Sequence, residues 1–118
     1  MVEYRLMSIM VVGSIALDTV KTPFGRAKNI LGGSAVYFSV STANFVPVHL
    51  TAVVGEDFPK KHILFLKNKG IDIDGLSIEK GKTFHWEGEY NWNFSNPKTI
   101  TTDLNVFSNF DPKLSHNY

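Results

Sequence analysis

The sequence predicts an α/β fold, a parallel sheet with an antiparallel β layer appended to it. Three observations predict this class. Two apolar runs, SIMVVG over Ser8–Gly13 and HLTAVVG over His49–Gly55, each end on a glycine, as strands buried on both faces do. Between them Ala35, Val36, Phe38, Val40 and Ala43 recur at helical spacing. From Thr83 to Phe94 the chain alternates strictly: Phe84, Trp86, Gly88, Tyr90, Trp92 and Phe94 against Thr83, His85, Glu87, Glu89, Asn91 and Asn93.

The first strand is expected over Ser8–Val12. Ser14 to Thr19 then read as a loop at a strand carboxyl end, where open α/β sheets bind ligands. Asp18 lies in that stretch, either as a ligand-binding carboxylate or as a solvated loop residue. Gly13-Ser14-Ile15 lacks the later glycines of a dinucleotide fingerprint. Lys21 to Lys28, with Pro23 and Gly25, reads as a connection.

Asn29 to Phe45 carries the adjacent glycines Gly32 and Gly33, then Ser34 as the expected helix cap. Glycines at a helix start let a ligand approach the backbone, and the amides of a first helical turn lack partners within the helix. A tight turn feeding a packed helix would look the same. Pro47 stops the helix, and His49–Gly55 completes a right-handed parallel β-α-β unit. A second helix follows, with Asp57 as expected cap, Pro59 in the first turn, Ile63, Leu64, Leu66 and Phe58 inward, and Gly70 at its end. Ile71–Ile78 is extended. The aromatic strand, the turn Ser95–Lys98 and the return of Ile100, Thr102, Leu104 and Val106 make an antiparallel hairpin. Its aromatic face must cover the sheet core, a ligand or a partner subunit.

At 118 residues the chain is the size of one domain, and 43% apolar residues are enough for a core. Net charge is +1 without a basic run, so nucleic acid is not an expected partner. Cysteine is absent, which excludes a disulfide scaffold, a thiolate metal site and a cysteine nucleophile, and fits a cytoplasmic protein. The apolar stretch Ser8–Leu17 is too short to cross a membrane, and Glu3 and Arg5 do not make the positive start of a signal peptide. The sequon Asn93-Phe94-Ser95 therefore carries no meaning. His49, His62, His85 and His116 do not stand at metal-ligand spacing, so no metal site is expected. No P-loop or serine-nucleophile motif occurs.

VVGSIALD, LGGSAVYFS, AVVGEDFP and GKTFHWEGEY, in that order, resemble the N-terminal part of the PfkB/ribokinase family of sugar and nucleoside kinases. The resemblance runs over roughly residues 7 to 112. It implies a ribokinase-like parallel sheet with a β lid, incomplete here: 1–78 as the substrate-binding part, 79–107 as a hairpin lid and 108–118 as the start of a further part. It implies that Asp18 hydrogen-bonds acceptor hydroxyls, that Gly32 and Gly33 lie against the acceptor, and that Phe84 or Trp86 shields it. A phenol, Tyr37, stands in the region where many family members carry an asparagine. The family's Gly-Ala-Gly-Asp segment does not occur, so its catalytic aspartate is expected beyond Tyr118 and no catalytic residue is expected within the chain. A fragment inactive alone is the corresponding expectation, with ATP and magnesium serving a full-length parent and neither bound by this chain. The partners implied are a sugar or nucleoside and a second copy joined through the lid. A non-catalytic sugar-binding or dimerisation module is the alternative.

Overall fold

The computed structural model describes residues 7–93 and 96–114. Phe94, Ser95, His116 and Tyr118, on which parts of the reading above rest, lie outside them. Two sheets make up the fold, one parallel and one mixed.

The parallel sheet has the order β1-β4-β5, with β1 at Ile9–Val12, β4 at Val48–Gly55 and β5 at Ile71–Glu79. Val11 lies beside Leu50, and Val48 beside Ile71. Nearly every residue of β4 is buried, which explains why it reads as an unbroken apolar run. Two helices cover the sheet. Helix α1, Ser34–Thr42, buries Ala35, Val36 and Ser39, with Val40 and Ala43 partly packed. Phe38 was expected on this face but is 53% exposed, because it sits about a third of a turn away from the buried stripe. Helix α2, Lys60–Asn68, buries Leu66 and partly Ile63, while Leu64 points outward for the same reason. Gly70 follows it with φ +79°, the left-handed position that ends a helix cheaply only as glycine. The core joins Ile15, Leu17, Ala35, Val36, Leu50, Val54, Phe58 and Leu66.

The second sheet differs from the two-stranded hairpin the sequence predicts. It has four strands in the order β3-β2-β6-β7: β2 at Ala16–Thr22, β3 at Gly25–Gly32, β6 at Phe84–Glu89 and β7 at Lys98–Asp103. The expected loop from Ser14 to Thr19 is therefore mostly strand, and the connection from Lys21 to Lys28 is a hairpin turning at Pro23-Phe24. There the Phe24 amide donates to the Thr22 hydroxyl at 3.0 Å. Strands β6 and β7 are antiparallel as expected, but β2 and β6 run parallel. The return strand ends at Asp103, short of Val106. Asn105 takes φ +51° and turns the chain into a 3-10 helix over Asn105–Asn109.

Candidate functional site

Strand register puts most of the expected site residues on one face of the four-stranded sheet. Gly32, Ala16 and Phe84 form one row, and Ile30, Asp18, Trp86 and Thr102 form the next. Directly paired residues project to the same side. Asp18 therefore sits in the middle of a strand, with Trp86 beside it and Gly32 one row away.

Gly32 leaves the space into which the Asp18 carboxylate packs; a Cβ there would collide with it. Half-buried in this way, the carboxylate accepts no hydrogen bond among the described residues. Burial holds its pKa above the ordinary carboxylate value, and the neighbouring His85 pulls weakly the other way. His85 itself points to the opposite face, where its Nε2 lies 3.0 Å from the Thr19 hydroxyl. Such a carboxylate gains most from ligand hydroxyls that replace its lost water.

Gly33 has a different reason to be glycine. Its φ is +99°, and a Cβ would strike the carbonyl of Ser14 and the backbone of Ile15. Gly33, not Ser34, is the cap residue of α1, and it offers no side chain of its own to the helix end. The first-turn amides already have partners: Ser34 N–H donates to the Ser14 hydroxyl at 3.3 Å, Ala35 N–H to the Ser14 carbonyl at 3.1 Å, and Val36 N–H to the Gly33 carbonyl at 3.1 Å. The unpartnered amides expected at this helix start are thus not there, whereas the Asp18 carboxylate one row away has no hydrogen-bond partner among the described residues.

The Phe84 ring stacks on Phe107 at 5.5 Å between centroids, and the Trp86 indole lies over Gly88 and donates to the Thr99 hydroxyl at 3.3 Å. Tyr37 belongs to the same neighbourhood. Partial burial raises its phenol pKa, and the Asp18 carboxylate and the Tyr90 phenol add to the rise. The sequence singles out Tyr37 only through the resemblance. Tyr90 enters the aromatic alternation without marking itself as a neighbour of Asp18.

Asp57 does not cap α2; Pro59 stands at the cap position, without a side-chain bond. The Asp57 carboxylate instead accepts hydrogen bonds from Thr83, at the entry to β6. Below this entry, Leu17, Asn29, Asp57, Lys82, Thr83, His85, Asp103 and Asn105 line a polar cavity of about 350 Å³. Among the described residues no cluster of three or more histidine or acidic side chains could hold a metal ion. No helix among them is long and apolar enough to cross a membrane. Tyr118, beyond which the catalytic aspartate is expected, lies outside the described residues.

No family model matches the chain. The cytidine kinase of Thermococcus kodakarensis is 35% identical over 81 residues, 68% of this chain and 29% of that protein. Among solved structures, the nucleoside kinase of Methanocaldococcus jannaschii, an archaeal member of the ribokinase family, matches with a TM-score of 0.74 at 23% identity, over 92% of this chain and 41% of that one. The nucleoside kinase of Burkholderia thailandensis, solved with inosine, matches with a TM-score of 0.73 at 12% identity, over 85% of this chain and 36% of that one. The fold is therefore ribokinase-like, an α/β sheet with a β lid. The chain resembles the PfkB/ribokinase family of sugar and nucleoside kinases in both sequence and structure, while spanning less than half the length of each of these relatives.

Proposed function

We propose that this chain forms the acceptor-binding and lid portion of a ribokinase-family kinase, which transfers a phosphoryl group from ATP to a hydroxyl of a nucleoside or sugar. The single observation that carries this reading is the half-buried Asp18 carboxylate, without a hydrogen bond among the described residues and flanked by Gly32 and Trp86 on one face. A carboxylate accepts hydrogen bonds from two adjacent hydroxyls at once, as a furanose diol presents them. Gly32 lets that carboxylate lie flat against the strand, Gly33 sets the turn beside it, and Phe84 and Trp86 offer an apolar cover for a sugar or base. Nucleosides are the favoured acceptors, because the cytidine kinase and both nucleoside kinases resemble this chain. ATP, magnesium and the catalytic aspartate belong to the proposed parent enzyme. The chain positions the acceptor and shields it from water, which is a large part of phosphoryl-transfer catalysis.

Titration of the chain with cytidine, inosine, ribose and fructose, followed by calorimetry, tests this. Saturable binding of at least one, weakened about tenfold or more by Asp18→Asn, is the expected result. Because burial raises the Asp18 pKa, affinity should fall with acidification at a higher pH than an ordinary aspartate would give. Binding by none of the four, or equal binding by Asp18→Asn, overturns the reading.

A second reading, a self-associating module, is favoured by the tip of the second sheet. There Phe24 and Trp92 meet edge to face at 5.3 Å while both remain more than 70% exposed. Light scattering on the chain and on Phe24→Ser with Trp92→Ser decides it; an unchanged monomer sinks it.

A further inference from the structure

The chain passes between the two sheets twice after β4, at residues 81–83 and again at 104–106; the first passage is fastened to the end of β4 and the second to the first. The Asp57 carboxylate accepts the Thr83 N–H at 2.8 Å and the Thr83 O–H at 2.7 Å. The same hydroxyl accepts the Gly55 N–H at 2.9 Å. Thr83 is 1% exposed and Gly55 is buried, so the Thr83 hydroxyl and both amides have left water and depend on these bonds, while Asp57 reaches them from the exposed surface. The Glu56 N–H donates to the Gly81 carbonyl at 2.9 Å. At the start of the 3-10 helix that follows β7, the Asn105 side-chain amide donates to the Thr83 carbonyl at 2.9 Å and the Val106 N–H to the Lys82 carbonyl at 3.1 Å. The first passage lies so close to the end of β4 that a Cβ on Gly55 would collide with Gly81 and Thr83.

Phe84 follows Thr83 directly, and Trp86 stands two residues further along the same face of β6. A strand transmits a shift at its first residue to the next turn of its pleat, so the joint sets where these two rings sit relative to Asp18.

We infer that Asp57 is a positioning residue: through Thr83 it fixes β6, and with it Phe84 and Trp86, beside Asp18. What the site holds rests on the function proposed above, whereas the placement of the strand rests on the hydrogen bonds alone.

The experiment uses the whole chain carrying Trp92→Phe, so that indole emission reports Trp86. Thr83→Val removes the hydroxyl and nearly keeps its volume; Thr83→Ser keeps the hydroxyl; Asp57→Ala removes the acceptor. Acrylamide quenching and cytidine titration are read alongside far-UV circular dichroism. The expected result is a two- to threefold rise in quenching and at least tenfold weaker cytidine binding for Thr83→Val and Asp57→Ala, with Thr83→Ser within twofold of the parent in both and the far-UV signal kept. Unchanged quenching in Thr83→Val overturns the inference. So does a Thr83→Ser chain that behaves like Thr83→Val, since the methyl group rather than the hydroxyl would then matter. Loss of the far-UV signal in both Thr83→Val and Asp57→Ala also overturns it, because the joint would then hold up the whole fold. A parent chain that binds no cytidine or inosine defeats the acceptor reading, while the quenching arm still decides the role of Asp57.

Discussion

The two sheets of this protein solve the same covering problem in opposite ways. In the parallel sheet, β4 is enclosed by β1, β5 and the helices, and Leu50, Ala52 and Val54 are almost wholly out of water. In the four-stranded sheet, β3 has six exposed residues of eight, and β7 has five of six. One sheet is a core; the other is a projecting blade with a polar surface and a few aromatic rings. The radius of gyration of 15.7 Å, against about 13.5 Å for a compact chain of this length, reflects that projection. The lesson is that the stability of this chain sits in one sheet and its proposed recognition surface in the other. Recognition surfaces are commonly drawn from the less stable parts of a fold.

The sharpest way to break this contrast is a matched pair of truncations. Leu50→Ala in β4 should cost about 2–5 kcal/mol, whereas Ile100→Ala, half exposed in β7, should cost under about 0.5 kcal/mol. Urea denaturation measures both, and equal costs would abolish the distinction. At the seam between the sheets, Gly33→Ala should cost about 1–3 kcal/mol, because φ +99° and the Ser14 carbonyl both oppose a Cβ. A cost under half a kcal/mol would mean that the seam is looser than its packing indicates. Unfolding followed by two probes sharpens the contrast further. Trp86 and Trp92 both lie on the second sheet or at its tip, so tryptophan emission should change several degrees below the far-UV signal; coincident midpoints would show one cooperative unit.

The smallest effect belongs to the foot of the parallel sheet. The Asp74 amide is the main cause that holds the Asp72 carboxyl below its ordinary value, with His49 Nδ1 at 2.8 Å adding to it and burial opposing. A depressed carboxyl stabilises the fold above its unfolded pKa and loses that contribution as pH falls from about 4 through the lower folded value. Asp72→Asn should therefore lower the melting temperature slightly at pH 7 and leave it unchanged near pH 2. A difference persisting in acid would locate the effect in packing, not charge.

The buried sheet was legible in the sequence because burial on both faces leaves a continuous apolar run. The exposed sheet was legible only where its residues are aromatic. Strand β6 declares itself through Phe84 and Trp86, but β3, with Arg26, Lys28 and Asn29, is mostly exposed, and β2 buries only Ala16, Leu17 and Thr19 near its start, too few to show a period. That is why Asp18 reads as a loop residue when it is mid-strand. The glycine pair was legible as a special place, yet its two members act for different reasons, Gly32 to admit a carboxylate and Gly33 to bend the chain past Ile15. Asp57 followed local rules as a cap, and lost that role to Thr83, 26 residues away in the chain. Contacts of that range leave no local pattern.

The parallel pairing of β2 with β6 carries one more consequence. The projecting sheet is assembled from residues 16–32 and 84–103, with the greater part of the buried sheet encoded between them. It is not a cassette. A lid borrowed from another protein of this architecture would have to be transplanted as two separate inserts whose hydrogen-bonding edges match each other, so recombination at a single pair of breakpoints would leave β2 paired with a stranger.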